Sequence, residues 1–128
     1  MPNDAMNASP AGLETDETVQ LISSAKVDGT AVYDRNAERL GTIDHVMIDK
    51  RSGQVAYAVM SFGGFLGMGG SYHPLPWRVL SYDPRLGGYV VDADRRRLEE
   101  APSYGATEPD WSDRGYTGRV DDYWRPIF

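Results

Sequence analysis

Apolar residues in this chain fall in short alternating runs, each closed by turn-forming groups, which is the pattern of a small all-β domain. Thr30-Ala31-Val32-Tyr33 is a β-prone run that ends in the polar turn Asp34-Arg35-Asn36-Ala37, where Asn36 is suited to a left-handed conformation. Leu40 to Asp49 reads as the next strand. Its apolar phase slips, with Ile43 and Met47 on one face and Val46 and Ile48 on the other. Either both faces are covered there or a bulge sits near Asp44-His45. Lys50-Arg51-Ser52-Gly53 is a turn with a glycine able to reach positive φ. Val55 to Phe62 follows with apolar groups on both faces, as in a central strand.

Phe62-Gly63-Gly64-Phe65-Leu66-Gly67-Met68-Gly69-Gly70 is a glycine-rich loop that carries large apolar side chains. Tyr72 to Leu75 and Arg78 to Tyr82 read as two strands broken at Pro74 and Pro76, a break that belongs at an edge or corner. Asp83 to Gly88 is a hairpin turn, and Tyr89-Val90-Val91 returns from it. Asp92 is placed to cap a short helix over Ala93 to Glu100, stopped by Pro102. The expected fold is therefore all-β: a small antiparallel barrel of about six strands with a short helix after it. Residues 1–20 read as a flexible leader, 21–102 as the barrel and 103–128 as a polar tail studded with aromatics, among them Tyr104, Trp111, Tyr116, Tyr123, Trp124 and Phe128. Tails that stay disordered are poor in aromatics, so this one is expected to pack on its own barrel or on a second copy.

Composition narrows the function classes. The 128 residues fit one domain, and the absence of cysteine removes disulfides, thiolate metal sites and a cysteine nucleophile. No apolar run approaches the length of a membrane span, and residues 1–20 lack a secretory pattern, so the expected location is cytoplasmic. The net charge of −6 comes from the two ends, while residues 21–104 are neutral. Nucleic-acid binders present a basic face, so nucleic acid is not the expected partner.

The run from Ser24 to Pro102 resembles the PRC-barrel domain, the barrel of the cytoplasmic part of the photosynthetic reaction-centre H subunit. The matching segments are Gly29 with Val32-Tyr33-Asp34, then Leu40-Gly41-Thr42-Ile43, Met47-Ile48-Asp49, Tyr57-Ala58-Val59, the glycine-rich loop, Leu75-Pro76-Trp77, Ser81-Tyr82-Asp83, Tyr89-Val90 and Leu98 before Ala101-Pro102. The resemblance implies a small barrel of the stand-alone bacterial kind. Relatives use it as an accessory module of photosynthetic or ribosomal assemblies.

The candidate chemistry is sparse. The glycine-rich loop has phosphate-loop spacing, but Gly70 stands where the lysine belongs and Pro74 and Pro76 forbid a following helix. His45 and His73 lie on separate strands without ligand spacing, although His45 and Asp49 fall on one face. Ser71 near His73 is no nucleophile elbow. Asp92, Asp94, Glu99 and Glu100 read as caps and a solvated face, as do Arg95, Arg96 and Arg97, and Trp77 reads as core. The expectation is a non-catalytic protein-interaction or scaffolding module without cofactor or metal, forming a homodimer and docking an unidentified protein. The alternative from another class is a small hydrolase or nucleotide-dependent enzyme. The candidate interaction residues are Phe62, Phe65, Leu66 and Met68 on the loop, and Trp111, Tyr116, Tyr123 and Trp124 on the tail.

Overall fold

The structure, a computed structural model, describes residues 20–62 and 70–126. Its elements run α1 (Ser24–Val27), β1 (Ala31–Tyr33), β2 (Arg39–Ile48), β3 (Val55–Phe62), β4 (Ser71–Pro76), a 3₁₀ turn (Trp77–Val79), β5 (Leu80–Asp83), β6 (Gly88–Val91), α2 (Arg95–Glu99) and α3 (Arg114–Trp124). The six strands form one sheet in the order β4-β3-β2-β1-β6-β5, curled into a half-barrel.

The expected antiparallel barrel is corrected in one respect. The sheet is mixed, because β1 and β6 run parallel through Val32↔Tyr89 and Tyr33↔Val90. The remaining pairs are antiparallel. Hairpin turns reveal only strands adjacent in sequence, so a pairing between the first and last strands leaves no local mark. Gly88 permits this closure, since a Cβ there would lie 2.5 Å from the carbonyl oxygen of Ala31.

Local chemistry sets the turns. Buried Asp34 accepts from the backbone N–H groups of Asn36 (2.8 Å) and Glu38 (2.9 Å), closing the β1–β2 turn. The left-handed residue is Ala37, at φ 64°, and not Asn36. That costly conformation is held by the Asp34 bonds and by Ala37 N–H donating to the Asp34 carbonyl. In β2 the register slips between Ile43 and His45, so the bulge falls where the apolar phase slips. Ile43 is thereby fully buried, while His45 stands opposite Val59 on the other face.

β3 lies between β4 and β2 and is covered on both faces. Ala58, Met60 and Phe62 join His73 and Leu75 of β4 on the inner face, where they meet Val32, Ile43, Val91 and Leu98 in one core. Tyr57, Val59 and Ser61 share the outer face with Tyr72, Pro74 and Pro76. Val59 and Pro74 are fully buried there, so something seals that face. The C-terminal segment lies along that side of the sheet, with Trp111 against Tyr57 and Asp121 on the Tyr57 hydroxyl. It adds Tyr104 to the outer side of β4 as a two-bond antiparallel bridge with Tyr72 (2.8 and 2.9 Å), then folds into α3.

α3 carries a sequence signal, which two glycines obscure. Asp113 caps it by accepting from Gly115 N–H at 2.8 Å. Tyr116, Val120 and Trp124 recur at helical spacing and are the buried residues of the helix. Gly115 and Gly118 mask the pattern, because glycine reads as loop. Burial of these three side chains contributes roughly 1.5–3 kcal/mol each.

Four smaller corrections follow. The strand expected over Arg78 to Tyr82 begins at Leu80, because Pro76 leads into a 3₁₀ turn closed by Leu80 N–H on the Trp77 carbonyl. β4 runs unbroken through Pro74, which an outer strand tolerates. Asp94 and not Asp92 caps α2, accepting from Arg97 N–H at 2.9 Å, while Asp92 pairs with Arg35 at 3.1 Å. A one-turn helix, α1, capped by Ser23, precedes β1.

Gly88→Ala is expected to lower stability by about 1–3 kcal/mol, because the new methyl must push β6 away from β1. Urea unfolding checks this, and an unchanged midpoint with the same slope would contradict the close approach.

Candidate interaction surface

Two regions of the surface carry the residues singled out by the sequence. The first is the seam between the C-terminal segment and the outer face of β2–β4. Its rings form a connected series: Tyr72 stacks on Tyr104 (5.4 Å between centroids), Tyr104 meets Trp111 edge-on (6.2 Å), and Trp111 meets both Tyr57 (5.9 Å) and Tyr116 (6.1 Å). Such offset and edge-on pairs add to simple area burial.

Polar ties fix the same seam. Tyr57 Oη donates to Asp121 Oδ1 at 3.0 Å. Burial, reinforced by that carboxylate, pushes the Tyr57 phenol up to about 12. Tyr104 is also pushed up to about 12, by burial first and then by Glu108. Trp111 Nε1 donates to Glu108 Oε2 at 3.1 Å, and that oxygen lies 3.7 Å from His45 Nε2. His45 Nδ1 is 2.7 Å from Asp44 Oδ2. The expected partner Asp49 is instead committed to the β2–β3 turn, accepting from Arg51 and Ser52 N–H, bonds that hold its carboxyl below the usual range.

Arg97 joins α2 to α3. Its guanidinium donates to the Tyr123 carbonyl at 2.9 Å, Tyr123 Oη donates to the Arg97 carbonyl at 2.7 Å, and the guanidinium lies 4.9 Å from the Tyr123 ring centre and 5.7 Å from that of Trp124. Arg97 is thus half-buried and structural, a correction to its reading as a solvated arginine. Arg95 and Arg96 are exposed.

The structure separates the named tail residues by role. Trp124 and Tyr116 are buried in the chain's own core, and Trp111 and Tyr123 are half-buried along the seam. All four meet in one packed unit. Trp77 is half-buried, edge-on to Tyr89 at 5.2 Å.

The second region is the end of the β3–β4 hairpin. Phe62 pairs with Ser71 there and is buried. Arg95 lies over its ring at 5.5 Å and donates to the Arg39 carbonyl at 3.1 Å. Phe65, Leu66 and Met68 lie outside the described residues, on the connection that leaves Phe62 and returns at Gly70.

His73 faces the interior beside Phe62, edge-on at 5.3 Å, with Nε2 2.8 Å from Ser71 Oγ. Its Nδ1 has no partner among the described residues. Burial pulls the His73 imidazole down to about 4. The register places His45 on the outer face and His73 on the inner one, so the sheet itself separates the two histidines. Among the described residues no group of three acidic or histidine side chains is placed to hold a metal ion, and no helix is long and apolar enough to cross a membrane.

A curled mixed sheet sealed by a C-terminal helix is a small half-barrel domain. The model of the PRC-barrel domain matches residues 20–98, more than half of the chain, and this protein belongs to that family. Among solved structures it is similar to a 16S ribosomal RNA processing protein, RimM, from Pseudomonas aeruginosa, at 24% identity and a TM-score of 0.39. That match covers 66% of this chain and 50% of the other, so the chain spans about half the length of that protein. No curated protein matches.

Burial of the His73 imidazole makes the stability of the fold depend on pH. The folded state holds the neutral ring down to about pH 4, whereas the unfolded chain binds the proton near the ordinary histidine value of 6.5. As pH falls from 6.5 towards 4 the unfolded state takes up the proton first, so stability is lost across that window. Wild type is expected to lose about 2 kcal/mol more than His73→Gln between about pH 7 and pH 5. Urea titrations at the two pH values measure it, and equal losses in both proteins would contradict a buried neutral imidazole.

Proposed function

We propose that this chain is a non-catalytic protein-interaction or scaffolding module that docks an unidentified protein and pairs with a second copy of itself. The observation that carries this reading is the separation of the two histidines by the sheet. A hydrolase or metal site would need them to converge with a carboxylate or nucleophile. His45 instead faces the carboxylates of Asp44 and Glu108, and His73 meets Ser71 inside the core with no carboxylate bonded to Nδ1 among the described residues. Membership in the PRC-barrel family supports the same reading.

The docking residues in this reading are Phe65, Leu66 and Met68, which the sequence places on the connection between β3 and β4. Apolar side chains on a glycine-rich turn suit an adaptable contact. Arg39 and Arg95, both exposed beside the base of that connection, would add favourable contacts for an acidic partner.

Full-length protein and Phe65→Ser/Leu66→Ser are to be used as baits in the native cell extract, with retained proteins identified by mass spectrometry. The expected outcome is a partner that the variant loses at least tenfold while its melting temperature stays within a few degrees. Enrichment of ribosomal or of photosynthetic proteins would tell the two known settings of such barrels apart. Equal capture by a folded variant would refute docking through this loop.

A further inference from the structure

We propose that residues 1–19, which lie outside the described residues, dock across the apolar end of the chain's own half-barrel, drawn there by charge. This inference is independent of the docking loop, which leaves the sheet at Phe62, the opposite end of β3 from the surface concerned.

The large apolar side chains exposed among the described residues are Leu21 (73%), Ile48 (52%) and Tyr82 (39%), and all belong to one end of the sheet. It is the end at which β1 and β6 begin and β2 and β5 finish. Tyr82 meets Tyr89 edge-on at 5.2 Å, and Tyr89 meets Trp77 at the same distance. Trp77 follows Pro76, the partner of Tyr57, so it stands next to exposed Ala56, and the neighbouring pair is Val55 with Ile48. An apolar strip of this kind marks a contact site.

The rim of this end is basic. Both lysines of the chain are here, Lys26 on α1 and Lys50 on the β2–β3 turn, with Arg51 beside Lys50, Arg78 on the 3₁₀ turn and Arg85 on the β5–β6 turn. The acids on the same rim are Asp28, Asp49 and Asp83, and the last two accept backbone N–H groups of their own turns. Asp44 turns instead to His45, on the outer face. Five bases against three acids leave a surplus of two positive charges.

The leader is the occupant that matches. Residues 1–19 hold Asp4, Glu14, Asp16 and Glu17, no lysine or arginine, and the apolar Leu13 and Val19 on either side of the acid cluster. They join the described part at this same end. Ile22 packs on the core, α1 follows, and Gly29 N–H donates to the Ile43 carbonyl at 2.7 Å just before β1. Glu14, Asp16 and Glu17 stand three to six residues before Gln20, a reach of at most about 10–20 Å, or the width of a few strands. A tethered segment acts at an effective concentration in the millimolar range, so weak contacts suffice. A second copy offered to this end would bring basic rim against basic rim, which repels. A separate acidic protein lacks the tether.

The chain contains no cysteine, so a nitroxide on Ala11→Cys reports the leader alone. Full-length, isotope-labelled protein carrying the nitroxide is compared with the same protein after reduction of the label, at low salt. The expected result is an amide intensity loss of about twofold or more at Ile48, Arg51 and Arg78, with Asn36 and Leu98 at the other end nearly unchanged. At about 1 M salt, where the screening length is roughly 3 Å, the losses should disappear. Glu14→Gln/Asp16→Asn/Glu17→Gln should abolish them as well, and Lys50→Glu/Arg51→Glu should do so from the other side. Losses that survive salt and neutralisation, or that are no greater than those at Asn36 and Leu98, overturn the proposal. Losses seen when spin-labelled protein is mixed with isotope-labelled protein that carries no nitroxide assign the contact to a second copy and overturn it too. If the rim variant does not fold, the salt series on the Ala11→Cys protein decides.

Discussion

The sealing of the outer face of β3 and β4 is the constraint on which this fold depends. A curled sheet covers its inner face with its own side chains. Here the apolar alternation of β3 also places Tyr57 and Val59 outward, and β4 adds Tyr72 and Pro74 beside them. A sheet so patterned cannot leave that side in water without a large apolar exposure. The C-terminal segment removes the exposure with one bridge, a short connection and α3, so the family's half-barrel is completed by residues beyond the 20–98 match.

The rest of the polar chemistry serves this arrangement. Asp34, Asp49, Asp94 and Asp113 accept backbone N–H groups and fix the turns and helix starts. Tyr57, Arg97 and Tyr123 tie the helix layer down. His73 is held neutral in the core, and His45 lies between carboxylates on the opposite side. Side chains used in this way position a scaffold.

Much of the sheet was legible because turns and alternation are local signals. Val55 to Phe62 and the Asp83 to Gly88 hairpin stand where the pattern puts them, and the phase slip at Asp44 marks the bulge. The parallel pairing of β1 with β6 was not legible, since the feature that permits it, a bare Cα at Gly88 against Ala31, reads in sequence as one more turn glycine. Cap assignments near Asp92 slid by two residues because either aspartate suits the position, and the helix begins at Arg95, which leaves Asp94 at the cap. In the tail, six aromatics signalled packing, yet Gly115 and Gly118 hid the stripe of Tyr116, Val120 and Trp124 that shows how it packs. Of the candidate interaction residues, Trp124 and Tyr116 proved to be core, a fate that aromatic content alone cannot distinguish from display.

Removal of residues 104–128, followed by thermal unfolding and binding of a hydrophobic dye, tests the sealing of the sheet most directly. The truncated chain should melt well below the full-length protein, or fail to melt cooperatively, and should bind the dye strongly through the uncovered Val59–Pro74 face. A truncated chain with the full-length melting temperature and no added dye binding would show that the sheet does not need this cover.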